Sequence, residues 1–250
     1  MNTKAILLAA GRGSRMGDET ASKPKCFTVL KGRRLLDWQI DALAEAGIGD
    51  VTIVTGYRSE MFDGNFSTVE NTRWSETNMV ASLFCVDKPE YDTIISYSDI
   101  VYKNQHIIDL NKSNADITIT ADKYWAELWK LRFEDPLDDA ETFKSKGQKL
   151  IEIGKKTRDM KDIEAQYMGL LKISGHGWKI MHDLFQTFSD IEKDKMDMTK
   201  MLNTLLENGI EVQVVFVAGG WCEADNYSDI LAYEKELAKN KNWKHDWRSN

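Results

Sequence analysis

The sequence has little of several residue types and features that define whole classes of protein. Its 250 residues include three prolines and four histidines, so we expect neither a proline-rich linker nor a histidine-based metal site. The three cysteines, Cys26, Cys85 and Cys222, are odd in number and widely spaced, which argues against a disulfide framework and a zinc site. The longest apolar runs, Ala5 to Ala10 and Val214 to Ala218, are far too short to span a membrane.

The amino terminus enters a predicted strand almost at once, so we expect no signal peptide. Together with the unpaired cysteines, this favours a reducing, cytoplasmic location. The length fits one large α/β domain with a sizeable core.

The chain also lacks an excess of basic charge, because its formal net charge is −7. A protein this acidic is a poor candidate for nucleic-acid binding, which needs a basic face. The exception is residues 1–34, which hold eight Lys and Arg against two Asp and Glu. A compact basic patch in an acidic body suits a small polyanion.

That basic region joins an apolar run to a glycine-rich turn. Lys4 to Ala9 has the continuous apolar character of a buried parallel strand, and Gly11 and Gly13 follow it. The turn and the next loop hold four cations: Arg12, Arg15, Lys23 and Lys25. Open α/β sheets bind ligands at the carboxyl ends of such strands, and glycines let backbone N–H groups approach phosphate oxygens. The turn therefore predicts a site for a nucleoside triphosphate.

Two other glycine motifs do not fit. Gly17 lies one residue too far along the chain for the dinucleotide fingerprint, and no lysine follows it as the phosphate loop of ATPases requires. An ordinary strand-to-loop turn is the alternative from the glycines alone, and the four cations argue against it.

Alternating strand and helix patterns predict an α/β fold, a Rossmann-like, mostly parallel mixed sheet flanked by helices. In the first half we expect strands at 4–9, 51–55, 93–97 and 116–121 and helices at 35–46, 78–86 and 106–112. In the second half we expect hairpin strands at 128–133, 149–153 and 166–173, helices at 177–188, 197–208 and from 228 to about 239, and a strand at 211–217. We interpret the chain as one domain, 1–250, in which a nucleotide-binding half (1–123) and an acceptor-binding half (124–250) share one sheet.

At this point the chain resembles a family, the nucleotidyltransferases that activate sugar phosphates and small phosphorylated alcohols. The resemblance rests on residues 8–15 with 23–25, on 32–40, 51–57 and 71–83, and on the acidic segments 98–100 and 221–225. Residues 71–83 are similar to a segment of the branch that uses CTP, which includes the phosphocholine and phosphonate cytidylyltransferases. The resemblance implies the nucleotide-diphospho-sugar transferase type of fold.

Nucleotidyl transfer asks the protein mainly to hold two anions together and to neutralise charge on the phosphoryl oxygens. Arg15 and Lys25 suit the catalytic contact with the triphosphate, and the resemblance implies the same two residues. Arg12 and Lys23 are auxiliary, and solvated loop charges are the alternative interpretation of Lys25 and Arg12.

Two carboxylates are candidates for holding Mg²⁺. Asp99 follows the predicted strand at 93–97, and Asp225 comes shortly after the strand at 211–217. Both are expected near one edge of the sheet, where a Mg²⁺ ion at the α-phosphate would serve this reaction. A helix N-cap is the alternative role for Asp225, although Asn226 or Ser228 serves it equally well.

The remaining nucleotide contacts are expected from the turn and from one helix. They are Leu8, Ala9, Ala10, Gly11, Arg12 and Gly13, with the backbone of residues 8–10 at the base. Asn78 and Ser82 lie one helical turn apart and are expected to reach cytosine or ribose. The resemblance, more than the chemistry, favours CTP over UTP.

The acceptor is predicted from aromatic and acidic residues in the second half. Trp125, Glu127 and Asp138 are candidates for holding an ammonium group, and core anchors with an acidic loop are the equal alternative. The resemblance implies a lysine at the acceptor's phosphoryl group, for which we choose Lys156. An aminoethylphosphonate-like or phosphocholine-like acceptor follows.

Two other functions stay open at this point. One is a sugar-1-phosphate nucleotidyltransferase that uses UTP or dTTP, and the other is a non-catalytic nucleotide-sensing module. The partners expected are small molecules rather than nucleic acid or membrane, and the choice between monomer and homodimer stays open.

Overall fold

The computed structural model describes residues 3–248, within which the chain forms thirteen strands and eight α-helices. The strands are β1 (Lys4–Leu8), β2 (Val29–Leu30), β3 (Arg33–Arg34), β4 (Val51–Thr55), β5 (Ser67–Glu70), β6 (Thr93–Tyr97), β7 (Ile100–Tyr102), β8 (Ile117–Asp122), β9 (Glu141–Lys146), β10 (Lys149–Lys156), β11 (Gln166–Ile173), β12 (Gln213–Val217) and β13 (Trp221–Glu223). The helices are α1 (Leu35–Glu45), α2 (Met79–Leu83), α3 (Asn104–Asn111), α4 (Trp125–Arg132), α5 (Gly175–Gln186), α6 (Asp190–Asp194), α7 (Met198–Glu207) and α8 (Tyr227–Lys239).

A nine-stranded mixed sheet organises residues 3–248, in the order β5-β4-β1-β6-β11-β8-β12-β10-β9. The first four strands of that order are parallel, and β8 and β12 are parallel to each other. β11 runs antiparallel between β6 and β8, and β10 and β9 close one edge as an antiparallel hairpin. The predicted α/β class with a mostly parallel mixed sheet is confirmed, and strands from both halves of the chain contribute to the one sheet.

Hydrophobic residues cover both faces of this sheet. Along β1, Ala5 and Leu7 belong to one buried cluster, and Ile6 and Leu8 belong to the other. Successive side chains of a strand point to opposite faces, so the clusters lie on opposite sides of the sheet. One includes residues of α1, α3, α4 and α8, and the other includes residues of α2, α5 and α7. No helix among the residues that the structure describes is long and apolar enough to cross a membrane.

The predicted strand at 128–133 is wrong, because this segment is helical and belongs to α4. Trp125 and Trp129 lie four residues apart, so a helix brings them to one face, where their rings meet at a centroid distance of 5.9 Å. Leu128 completes that buried face. A strand would have placed Leu128 and Trp129 on opposite sides, so the tertiary core selects the helix.

A small sheet outside the central one decides where the acidic residues lie. β7 pairs with β13 in antiparallel register, with Glu223 opposite Ile100. The backbone N–H of Ala224 donates to the carbonyl of Asp99 at 2.9 Å. This pairing, which the sequence did not predict, brings the segment after β13 against the turn after β6. The short strand β5, the edge strand β9 and the helix α6 were also not predicted.

Candidate active site

The glycine turn after β1 packs directly on Lys25. Gly13 has a left-handed backbone with φ of 67°, and a Cβ atom there would lie 2.7 Å from Cδ of Lys25. Glycine is therefore required at this position both for the conformation and for the close approach. The contact buries the lysine, which is 8% exposed.

Lys25 joins the two acidic segments. Its Nζ donates to Asp99 Oδ2 at 2.7 Å and to Asp225 Oδ1 at 2.8 Å. Burial alone would lower the pKa of Lys25, but the two carboxylates outweigh it and hold that pKa above its usual value. The ammonium is therefore charged at neutral pH. Lys25 and Asp225, which are 200 positions apart in the chain, are thus joined through Nζ of the lysine.

Asp225 pairs with two arginines in addition to Lys25. Arg15 donates to its Oδ1 at 2.7 Å, and Arg132 donates to its Oδ2 at 2.9 Å. Burial opposes ionisation of Asp225, but Lys25 and the two arginines lower its pKa below the usual value. The helix cap that was the alternative role for Asp225 falls to Asn226, which begins α8.

Arg132 was not predicted as a site residue. Its side chain is 0% exposed, and it also donates to Glu223 at 2.7 Å. The rings of Trp129 and Phe133 lie 5.2 and 5.0 Å from its guanidinium carbon. Because residues 128–133 were predicted as a strand, no pattern in the sequence directed Arg132 towards the carboxylates.

Asp99, Glu223 and Asp225 form a three-carboxylate cluster, with ligand oxygens all within 4.8 Å of one another. Burial raises the pKa of Glu223 to about 7, although Arg132 opposes that rise. Oδ1 of Asp99 is buried and has no hydrogen-bond partner among residues 3–248. An all-oxygen set with an unpartnered atom fits a hard divalent cation such as Mg²⁺. Glu223 was missed by the sequence interpretation, although its spacing two residues before Asp225 was a usable signal.

A pocket beside Lys25 and Asp99 gathers most of the predicted nucleotide contacts. Its predicted residues are Leu8, Ala10, Gly11, Gly13, Asn78 and Ser82, and its further lining residues are Trp74, Thr77, Met79, Tyr97 and Ser98. Ala9 instead points into the core, and Arg12 lies over the ring of Tyr57 at 5.7 Å. Within residues 71–83 the sequence interpretation assigned contacts only to Asn78 and Ser82, so it missed Trp74, Thr77 and Met79 as lining residues.

The four predicted acceptor residues each have partners of their own in the structure. Trp125 is 3% exposed inside the core, and Glu127 pairs with Lys244 at 3.0 Å. Asp138 pairs with Arg158 at 2.9 Å, and Lys156 donates to the Asp139 carbonyl at 3.2 Å. These placements explain Trp125 as a core anchor and Glu127 as a member of a surface ion pair.

The pocket has a charged end and an uncharged end. Lys25 and Asp99 lie at one end, and Trp74, Thr77, Asn78, Met79 and Ser82 line the other. A ligand with an anionic part and a flat polar part matches this division, because backbone N–H groups and a lysine suit phosphates. The aromatic and amide side chains suit a nucleobase.

Comparison with known proteins agrees with this geometry. A sequence profile of the MobA-like NTP transferase domain matches residues 5–106. The chain is 34% identical over 248 residues to a CTP:phosphoglutamine cytidylyltransferase of Campylobacter jejuni, which covers 90% of this chain and 97% of the relative. It is 33% identical over 116 residues to a choline-phosphate cytidylyltransferase of Streptococcus pneumoniae, which covers 44% of this chain and 51% of the relative. A 2-aminoethylphosphonate cytidylyltransferase of Lancefieldella rimae is 33% identical over 121 residues, covering 45% and 49%.

Solved structures show the same fold. The inositol-1-phosphate CTP transferase of T. maritima superimposes with a TM-score of 0.70 at 19% identity, covering 93% of this chain and 96% of that chain. The CTP:phosphocholine cytidylyltransferase of Streptococcus pneumoniae gives a TM-score of 0.72 at 20% identity, covering 95% and 100%. The near full-length relative and the shared fold confirm the resemblance read from the motifs, and the chain belongs to the nucleotidyltransferase family that contains the MobA-like NTP transferase domain.

Proposed function

We propose that this protein is a Mg²⁺-dependent cytidylyltransferase, which transfers CMP from CTP to a small phosphorylated acceptor and releases pyrophosphate. The observation that carries the proposal is the position of Lys25, which pairs with Asp99 and Asp225 beside the pocket of the glycine turn. A cation fixed there can stabilise charge on a triphosphate without reorganisation during the reaction.

The residues divide into three tasks. Lys25 and Arg15 neutralise the triphosphate, and the backbone of residues 8–13 holds it against the sheet. Asp99 and Asp225, joined by Glu223, would hold Mg²⁺, which supplies charge stabilisation at the phosphoryl oxygens when bound. The acceptor oxygen attacks the α-phosphorus in line, the new O–P bond forms as the bond to pyrophosphate breaks, and the alignment of the two anions supplies much of the rate.

The division of labour between the two halves is part of the proposal. Residues 1–123 provide the turn, Lys25, Asp99 and the pocket, and residues 124–250 provide the acceptor contacts, for which Lys156 and Asp138 are the candidates that remain. The amine-binding role predicted for Trp125 and Glu127 has no support from their placement. Two of the three residues that suggested an ammonium-bearing acceptor, such as aminoethylphosphonate or phosphocholine, therefore no longer support it.

Phosphoglutamine is the acceptor that we rank first. Its support is the Campylobacter jejuni relative, whose match spans 90% of this chain and so includes the acceptor half. The choline-phosphate and aminoethylphosphonate relatives match less than half of the chain. Sugar 1-phosphates come last, because a bifunctional sugar-1-phosphate nucleotidylyltransferase matches a similar share of this chain, 46%, at a lower identity of 29%.

An assay of pyrophosphate release tests the choice of nucleotide and the choice of acceptor together. CTP, UTP, dTTP, ATP and GTP are each paired with phosphoglutamine, choline phosphate, aminoethylphosphonate and glucose 1-phosphate, with and without Mg²⁺. We expect turnover with CTP and Mg²⁺, and highest kcat/KM with phosphoglutamine. Turnover with UTP or dTTP and a sugar 1-phosphate would support the alternative enzyme. Nucleotide binding without any turnover would support the sensing module.

A further inference from the structure

Asn71 lies beneath the uncharged end of the pocket, and its hydrogen bonds fix the orientation of its side-chain amide. The backbone N–H of Arg73 donates to Oδ1 of Asn71 at 2.9 Å. A backbone N–H can only donate, so the atom facing it must be the amide oxygen. The amide nitrogen of Asn71 therefore faces the opposite way, and this assignment does not depend on telling the two atoms apart by other means.

The amide nitrogen donates to two hydroxyl groups. Nδ2 lies 2.8 Å from Oγ1 of Thr77 and 2.9 Å from Oγ of Ser82. The hydroxyl of Thr77 donates a hydrogen bond to the carbonyl of Arg73 at 3.0 Å. Both amide hydrogens are thereby used, and each hydroxyl receives a hydrogen bond from Asn71.

Ser82 is left with a proton that has no acceptor. Its oxygen already accepts from Asn71, and no group among residues 3–248 accepts its hydrogen. Ser82 is 4% exposed and lines the pocket. A buried hydroxyl in this position is a committed donor, and leaving it unpaired costs free energy that a ligand acceptor recovers.

We propose that Asn71 and Ser82 act as a polarity filter that selects cytosine over uracil at this end of the pocket. The inference rests on the proposed function, because it takes the bound ligand to be a pyrimidine nucleotide. Asn71 is the positioning residue, and Ser82 presents its hydroxyl proton to ring atom N3 of the base. N3 of cytosine is a bare acceptor, whereas N3 of uracil carries a hydrogen and would set two donors against each other.

Reversing the polarity is the direct test. In Asn71→Asp, one carboxylate oxygen still accepts from Arg73 and the other accepts the Ser82 proton, so the serine turns a lone pair towards the base. We expect the ratio of Kd for UTP to Kd for CTP to fall by about 5- to 150-fold. Titration calorimetry with both nucleotides measures this without any acceptor.

A second test changes the ligand, so its main measurement is made on the wild type. In 3-deazacytidine triphosphate a C–H group replaces N3, so the wild type should bind it about 5- to 150-fold more weakly than CTP. The Ser82→Ala variant should bind CTP and 3-deazacytidine triphosphate with equal Kd. Ser145→Ala is the matched control, because it makes the same substitution at a serine outside the pocket, whose hydroxyl donates to Glu164. Its CTP preference should persist.

The outcomes separate the two proposals. If the wild type binds CTP over UTP but treats the deaza analogue as it treats CTP, the filter is overturned and the proposed function stands. An unchanged CTP:UTP ratio in folded Asn71→Asp has the same meaning. A wild type that binds neither pyrimidine triphosphate, or binds both equally, overturns the filter, and absence of binding also overturns the proposed function.

Discussion

The charge of Lys25 pairs with two acidic segments of the chain, at Asp99 and at Asp225. Replacing it with alanine should lower kcat by about 10²- to 10³-fold, because one fixed electrostatic contact to the reacting phosphates is lost. We also expect a lower Tm, since Asp99 loses the cation at 2.7 Å whereas Asp225 keeps Arg15 and Arg132. Kinetic assays and thermal melting measure the two effects.

Lys23→Ala is the matched control for that variant. Lys23 lies in the same loop, but it pairs with Glu19 at 3.1 Å and is more exposed. Its removal should change kcat far less than the removal of Lys25. A folded Lys25→Ala variant with nearly wild-type kcat would exclude Lys25 from the mechanism.

His106 makes the stability of the protein sensitive to acid. This residue of α3 is buried, and its Nδ1 has no partner among the described residues. Burial, with the nearby charge of Lys103, lowers the pKa of His106 from 6.5 to about 4. As the pH falls below about 6.5 the unfolded state takes up a proton that the folded state does not, so stability is lost between about pH 6.5 and pH 4.

The corresponding experiment compares the wild type with His106→Gln by urea denaturation from pH 7.5 to pH 4. Over this range the wild type should lose roughly 2–4 kcal/mol more of its free energy of unfolding than the variant, at 1.36 kcal/mol per unit of pKa shift. The comparison is of slopes, so a constant packing cost in the variant does not affect it. Parallel pH profiles would contradict the assignment.

At the scale of elements, α8 holds the acidic segment after β13 in place. The hydroxyl of Tyr233 donates to the carbonyl of Glu223 at 2.6 Å. Asp229 accepts from the backbone N–H groups of Asp225 and Asn226 at 2.8 and 2.9 Å. Both ends of the Glu223–Asp225 segment are thereby tied to the first two turns of one helix.

Tyr233→Phe tests that support. Loss of one buried hydrogen bond should cost about 0.5–1.5 kcal/mol of stability. If the segment holds Mg²⁺, the Mg²⁺ concentration for half-maximal activity should rise about 10-fold, as for other groups that orient metal ligands. Tyr227→Phe is the control on the same helix, because Tyr227 is exposed. An unchanged Mg²⁺ requirement in the Tyr233 variant would show that α8 does not position the carboxylates.

At the scale of the whole molecule, the carboxylate cluster ties the two halves of the chain together. Lys25 and Asp99 come from the first half, and Arg132, Glu223 and Asp225 come from the second. The ion pairs are buried or half-buried, so the removal of Lys25 leaves Asp99 without its cation and the removal of Arg132 leaves Glu223 without its cation. The active site and the stability of the fold therefore share the same residues.

Arg132→Met should destabilise the protein by about 3 kcal/mol, because Glu223 loses the cation at 2.7 Å in a buried position. Arg158→Met is the matched control, since Arg158 bridges Asp138 and Asp135 with a side chain that is 75% exposed. Such a surface pair should be worth about 0–1 kcal/mol. Equal costs for the two variants in urea denaturation would contradict a buried role for Arg132.

Local patterns in the sequence were enough for most strands and helices of the sheet. The strands at 51–55, 93–97 and 166–173 were predicted with the bounds that the structure gives, because their apolar runs are continuous and end at turn residues. The helix α4 was not predicted, because the apolar and polar residues from Leu128 to Phe133 follow neither the period of a helix nor that of a strand clearly. Packing of Trp125 on Trp129 decides between the two structures.

The candidate site divides in the same way. The glycine turn, Asp99 and Asp225 can be found from the sequence, because each follows the end of a strand and parallel strands end at one edge of a sheet. Lys25 can be found because it belongs to the basic loop that follows the glycine turn. Arg132 and Asn71 cannot, because their partners are set by the pairing of β7 with β13, by the helical form of α4 and by the fold of the loop before α2. Strand ends are a local property of the chain, whereas a buried charge or a fixed hydroxyl proton depends on neighbours that tertiary contacts alone supply.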